Sequence, residues 1–139
     1  MDRILIFNLG NILYAIDTKY IVEITKIRKI NKSATLSKYV KGVVDVRDKI
    51  SIVFDLCKIL GMKEKQENNF VICKDVNEDQ FIFSITNVVC IYDLTDEPPI
   101  SDTCRLFITD LVENIIRYDK ELVFVLDFEK ILDVLKEGE

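Results

Sequence analysis

Histidine is absent from this chain of 139 residues. Without an imidazole the chain has no Cys/His zinc site, no Ser-His or Cys-His catalytic couple and no histidine pH switch. The four cysteines, at positions 57, 73, 90 and 104, stand far apart and form no CxxC pair. We therefore expect them to be reduced thiols of a protein that resides in the cytoplasm.

Glycine is scarce, and its four residues are scattered singly, so a glycine-rich phosphate loop is excluded. The N-terminal residues lack the pattern of a signal peptide, and no apolar run approaches the length of a membrane span. We therefore expect no direct insertion into a membrane. The net charge of −5 argues against a general nucleic-acid binder, which needs a clustered basic face.

The composition nevertheless favours an ordered protein, because 49% of the residues are hydrophobic and 31% are charged. A chain of this length fits one compact domain or two very small lobes that share a core.

The stretch Tyr39–Leu60 has the clearest local pattern in the sequence. Two runs of β-branched and aromatic residues flank the charged turn Arg47-Asp48-Lys49, which is the pattern of a β-hairpin. Asp55 then offers an N-cap for a short helix, and Gly61 ends that helix.

The same pattern returns at Leu111–Leu132, at an offset of 72 residues (111 − 39). Apolar, acidic and basic positions coincide without a gap at Val40/Val112, Val53/Val125, Asp55/Asp127, Lys58/Lys130, Ile59/Ile131 and Leu60/Leu132. The repeat predicts a single domain of two lobes, approximately 1–62 and 68–135. Chance similarity between two β-rich segments is the alternative.

Each half of the chain contains about five predicted strands. Outside the two hairpins they are Ile4–Leu9, Ile12–Ile16, Tyr20–Ile24, Phe70–Lys74, Gln80–Ile85 and Val88–Tyr92. The fold class is therefore predicted as mainly β, with two small five-stranded antiparallel barrels. A single large sandwich is the alternative.

Two charged residues stand out as a candidate pair. Glu23 lies inside the apolar strand YIVEI, where a carboxylate needs a cation, and Arg47 is the predicted partner. No nucleophile accompanies them, so a structural or docking ion pair is favoured over a catalytic couple. Asp55 and Asp127 are interpreted as helix caps and not as an acid pair.

Five short motifs occur in the order and spacing of the bacterial chemotaxis coupling protein CheW. They are Tyr14-Ala15-Ile16-Asp17, Glu23-Ile24, Tyr39-Val40-Lys41-Gly42, Asp45-Val46-Arg47-Asp48 and Ile52-Val53-Phe54-Asp55-Leu56. The family patterns are close to Y-G-I-D, E-I, F-I-K-G, N-L-R-G and P-I-V-D-L. The chain therefore resembles the CheW-like family from Ile4 to Leu132.

Several positions depart from that resemblance. Asp45 stands at the motif's Asn, Asp48 at its Gly and Ile52 at its Pro, while Asn114 replaces the glycine expected in the second half. An Asp in place of a turn glycine implies either a changed turn or an aspartate in the left-handed region.

The resemblance implies two intertwined five-stranded barrels, no catalysis, no cofactor and no metal. It implies an adaptor that bridges the cytoplasmic tip of a chemoreceptor (a methyl-accepting chemotaxis protein) and the regulatory domain of the histidine kinase CheA. The residues that it places near the receptor groove or the kinase contact are Ile21, Glu23, Gly42, Arg47, Ile50, Ile85 and Thr86. A regulatory or inhibitory module for another signalling kinase and a small-ligand-binding barrel are the alternatives.

Overall fold

The computed structural model describes residues 3–27, 29–32, 38–63, 69–95 and 111–137. The described part contains ten strands: β1 (Arg3–Leu9), β2 (Ile12–Asp17), β3 (Ile21–Thr25), β4 (Val40–Val46), β5 (Lys49–Phe54), β6 (Asn69–Lys74), β7 (Gln80–Ile85), β8 (Asn87–Asp93), β9 (Val112–Tyr118) and β10 (Glu121–Leu126). It also contains two helices, α1 (Leu56–Ile59) and α2 (Phe128–Glu137), and a 3₁₀ turn at Thr18–Tyr20. The strands predicted from the sequence, including both hairpins, are confirmed with bounds that differ by at most one or two residues.

The strands form two five-stranded sheets. Sheet A has the order β8-β1-β2-β10-β9, and sheet B has the order β3-β6-β7-β5-β4. The two orders correspond strand for strand, because β1–β5 of the first half match β6–β10 of the second. The hairpins β4–β5 and β9–β10 thus occupy equivalent places at one edge of their sheets.

Neither sheet is made from one half of the chain. The hairpin β1–β2 lies in sheet A with three strands of the second half, and the hairpin β6–β7 lies in sheet B with three strands of the first. The boundaries 1–62 and 68–135 therefore describe the sequence repeat, whereas each spatial lobe contains strands from both halves.

The predicted antiparallel barrels need two corrections. β10 pairs with β2 in parallel, and β5 pairs with β7 in parallel, so both sheets are mixed. Among the described residues no backbone pairing joins the first and last strands of either sheet, so the sheets are open. Parallel neighbours need a long crossover connection, and both pairs have one: a helix and a further strand separate β5 from β7, and most of the chain separates β2 from β10.

Apolar side chains are buried on both faces of the central strands. The largest core lies between the sheets and includes Phe7, Phe54, Phe83 and Leu132. Two smaller cores lie against the opposite face of each sheet, around Ile6 in sheet A and around Val53 in sheet B. Each sheet therefore curves around its own small core and joins the other lobe through the shared one.

Both predicted helix caps are confirmed. The Oδ1 atom of Asp55 accepts a hydrogen bond from the backbone N–H of Lys58 at 3.2 Å. The Oδ1 atom of Asp127 accepts the equivalent bond from Lys130 at 3.2 Å. These bonds satisfy amides that the first turn of a helix leaves without an internal partner.

The hairpin turns contain no glycine, although their backbone is left-handed. The φ angles are 54° at Arg47 and 63° at Asp48, and 47° at Asp119 and 67° at Lys120. Two consecutive residues with positive φ between paired strands form a type I′ turn, which matches the twist of a hairpin. Asp48 is therefore an aspartate in the left-handed region, and the turn keeps its hairpin geometry.

We expect neither half of the chain to fold alone, because each would lack two central strands of its sheet. Fragments 1–66 and 67–139 should each lack a cooperative thermal transition, and mixing them should restore β-sheet circular dichroism. The intact chain is the control. A cooperative transition in one isolated fragment would contradict the exchange of hairpins.

The left-handed backbone at Asp48 should lower the stability of the protein. A left-handed backbone costs a non-glycine residue about 1 kcal/mol, less for aspartate than for a branched side chain. Asp48→Gly should therefore raise the free energy of unfolding by about 0.5 kcal/mol, and Asp48→Val should lower it by about 1 kcal/mol. Urea unfolding of both variants measures the difference, and an equal effect of Gly and Val would exclude backbone strain.

Candidate functional site

A surface groove lies between the two edge strands of sheet B. The groove has a volume of about 440 Å³. Residues of β3, of β4 and of the segment that follows β3 line it: Glu23, Thr25, Lys26, Ile27, Lys29, Val44, Asp45, Val46 and Arg47. It marks the place where a closed barrel would have paired β3 with β4.

The predicted ion pair spans the groove at the hairpin turn. The Nη2 atom of Arg47 donates to Oε2 of Glu23 at 2.8 Å, which confirms the pairing. The Arg47 side chain is 71% exposed and the Glu23 side chain 27% exposed. An exposed ion pair of this kind contributes well under about 1 kcal/mol to stability.

The chain after β3 makes a second connection across the gap. The N–H of Asn31 donates to the carbonyl of Val43 at 2.9 Å, and the N–H of Val43 donates to the carbonyl of Asn31 at 2.8 Å. These bonds fasten residues 29–32 to the free edge of β4. The groove is the remaining space between this connection and the ion pair.

Gly42 permits that close approach. A Cβ atom built at Gly42 would stand 2.3 Å from the carbonyl oxygen of Asn31 and 2.7 Å from Cγ2 of Ile30. Both distances are shorter than any real Cβ contact, and the nearer atom belongs to the backbone. A side chain at position 42 would therefore push residues 30 and 31 away from β4.

The apolar residues of the segment after β3 face inward. Ile27 and Ile30 pack on the small core of sheet B, beside Val44 and Val46. The exposed lysines at 26 and 29 alternate with them and line the groove. Lys26 and Lys29 therefore form the solvated side of this segment.

Ile50 is the most exposed large hydrophobic residue of the hairpin. It lies on β5 opposite Asp45 of β4, and 81% of its surface is accessible. Cross-strand partners point to the same face of a sheet. Ile50 and Asp45 therefore lie side by side on the face of the hairpin that points away from the small core of sheet B.

The other three predicted site residues lie elsewhere. Ile21 begins β3 and is partly buried against the shared core. Ile85 is 0% exposed, so its side chain cannot touch a partner directly in this conformation: β7 is a central strand and is buried on both faces. Thr86 connects the lobes, since its Oγ1 accepts from the N–H of Gly10 at 2.9 Å and its own N–H donates to Asn8 at 3.0 Å.

The sequence therefore predicted the ion pair correctly, but it did not predict the groove between β3 and β4. The missed lining residues include Lys26, Lys29 and Asp45. The alternation of lysine and isoleucine at 26–30 indicated which residues face solvent. It did not indicate that the segment would stop short of covering the edge of β4.

The described side chains offer little chemistry. Cys57 and Cys73 are buried, and Cys90 is partly buried. Burial raises the pKa of the Cys73 thiol and keeps it protonated. In the described ranges no three His, Cys, Asp or Glu residues group as a metal site.

Comparison with known families gives a match over nearly the whole chain. The model of the CheW-like domain matches residues 3–136. The chain belongs to the CheW-like domain family. The match confirms the resemblance and the fold class that it implied.

Structure comparison agrees with this assignment. The chain resembles the crystal structure of the scaffolding protein TtCheW from Thermoanaerobacter tengcongensis, with a TM-score of 0.75 and 21% sequence identity. The similarity covers 94% of this chain and 86% of that one. Comparison with curated protein sequences gave no significant match. No helix in the described ranges is long and apolar enough to cross a membrane.

We expect Gly42→Ala to damage the site by opening the connection between Asn31 and Val43. The added methyl group must displace backbone, so the free energy of unfolding should fall by about 1–3 kcal/mol. Urea unfolding measures the loss, and the amide of Asn31 should exchange faster with deuterium. Gly61→Ala is a useful contrast: its methyl group meets nothing within 4 Å, although its φ of 73° also disfavours alanine. Unchanged exchange at Asn31 in Gly42→Ala would contradict the steric explanation.

Proposed function

We propose that this protein is a non-catalytic adaptor of bacterial chemotaxis, which couples the cytoplasmic tips of chemoreceptors to the regulatory domain of the histidine kinase CheA. The match to the CheW-like domain over residues 3–136 carries this proposal. The family supports a general scaffold role in chemotaxis signalling, and TtCheW, which has the same fold, is a scaffolding protein. The cytoplasm is the proposed location.

The chemistry of the surface supports binding better than catalysis. The Glu23–Arg47 pair is accessible, and the hairpin that carries Arg47 also exposes the apolar Ile50 beside Asp45. An exposed apolar residue surrounded by charged ones resembles the centre and rim of a protein interface. We assign the docking surface to Glu23, Arg47 and Ile50, with Gly42 shaping the backbone beneath them.

Ile21, Ile85 and Thr86 are proposed to act indirectly. Ile85 and the partly buried Ile21 belong to the core that joins the lobes. Thr86 bonds to the β1–β2 hairpin of the other sheet. Substitutions there would change how the lobes pack together, and with it the shape of any groove between them.

Arg47→Ala tests the docking role. Because the ion pair is exposed, the free energy of unfolding should fall by less than about 1 kcal/mol. An interfacial arginine that pairs across a binding surface contributes more, so affinity for a partner should fall about tenfold. Calorimetric titration against a receptor-tip fragment and against the CheA regulatory domain measures this, with circular dichroism as the folding control.

Lys49→Ala is the matched control, since it removes an exposed cation from the same hairpin outside the ion pair. It should leave both affinities within about twofold, as expected for a charge at the rim of an interface. Equal losses in the two variants would indicate a general electrostatic effect. Unchanged affinity of Arg47→Ala for both partners would remove Arg47 from the docking surface.

A further inference from the structure

The main chain of Asp45 points out of sheet B and into the groove. The hairpin closes at the pair Val46 and Lys49, and residues that flank a two-residue turn exchange both backbone hydrogen bonds. Antiparallel pairs alternate, so the N–H and C=O of Asp45 face away from β5. Val43 has the same orientation, and its two bonds to Asn31 verify the alternation.

The N–H and C=O of Asp45 have no partner within the described residues. Asn31 bonds to Val43 in an antiparallel bridge, which would bring Lys29 opposite Asp45 if the pairing continued. The bridge is isolated, however, and Lys29 lines the groove beside Asp45 without pairing to it. A donor and an acceptor at strand spacing are thus left open at the edge of β4, which is a template for another strand.

The charges around this edge favour an acidic occupant. Lys26, Lys29 and Arg47 line the groove together with two carboxylates, those of Glu23 and Asp45. Glu23 is already bound to Arg47. The groove is therefore locally basic on a chain whose net charge is −5.

We infer that the groove between β3 and β4 binds an extended acidic segment of a partner protein, which adds a short strand to sheet B at Asp45. A carboxylate of that segment is placed between Lys26 and Lys29. The inference rests on the proposed function insofar as the groove belongs to the Glu23–Arg47 docking surface. A helical segment does not fit this role, because a helix bonds its amides internally and offers none to a strand edge.

Amide hydrogen exchange on the intact wild-type protein tests strand addition directly. Without a ligand, the amide of Asp45 should exchange quickly, while those of Val44 and Val46 are held in the β4–β5 ladder. A short capped peptide of alternating valine and glutamate, at millimolar concentration, should slow exchange at Asp45 about tenfold, as one new hydrogen bond would. A peptide of alternating valine and lysine is the matched control.

The outcomes separate clearly. Slower exchange at Asp45 with the glutamate peptide alone supports the inference. Unchanged exchange at Asp45 with both peptides overturns strand addition, and equal protection by both peptides overturns the acidic preference. None of these results depends on the identity of the natural partner.

Two variants extend the test to the proposed partners. Asp45→Pro removes the outward N–H at a position where an edge strand tolerates proline, and Asp45→Ala removes only the carboxylate. We measure the affinity for whichever of the receptor-tip fragment and the CheA regulatory domain binds the wild-type protein. It should fall about tenfold in Asp45→Pro and stay within about twofold in Asp45→Ala. Circular dichroism shows whether each variant is folded. If Asp45→Pro fails to fold, the exchange experiment on the wild-type protein still tests strand addition.

The two proposals can fail separately. Weaker binding by Arg47→Ala with unchanged binding by a folded Asp45→Pro would keep the adaptor function and overturn strand addition. Wild-type protein that binds neither the receptor fragment nor the kinase domain, but whose Asp45 amide is protected by the glutamate peptide, would overturn the adaptor function alone.

Discussion

The exchange of central hairpins between the two halves is the constraint on which the remaining structure depends. β2 pairs in parallel with β10, and β7 pairs in parallel with β5, so each sheet is held together by strands that are distant in sequence. The shared core then buries residues of both sheets and both helices. Because the pairing and the core use the same strands, neither lobe can separate from the other without losing its own centre.

This constraint also determines which strands of the described sheets keep unpaired backbone groups. Strands at the centre of each sheet are buried on both faces and use their backbone groups to pair with a neighbour on each side. Edge strands have a neighbour on one side only, and in sheet B the two edge strands, β3 and β4, face each other across the groove. The ion pair Glu23–Arg47 and the bridge Asn31–Val43 connect the two sides of that gap.

Local chemistry made much of this predictable from the sequence. The hairpins follow from β-branched runs on either side of a charged turn, and the caps at Asp55 and Asp127 follow from carboxylates that accept helix amides. The pairing of Glu23 with Arg47 follows from a carboxylate in an apolar strand that needs a cation. The exchange of hairpins was beyond local reasoning, because a short strand gives no sign of which distant strand it will join. The burial of Ile85 was beyond it for the same reason: its strand is central and has apolar neighbours on both faces.

The exchange also has a consequence for synthesis on the ribosome. The strands of sheet B, β3 to β7, are contiguous and can pair as soon as residue 85 has emerged. The first hairpin, β1–β2, is made earliest, yet its sheet is complete only when β10 has been made. Its nearly uncharged, strongly apolar strands must therefore wait without their final neighbours, which exposes them to misassembly while the rest of the chain is translated.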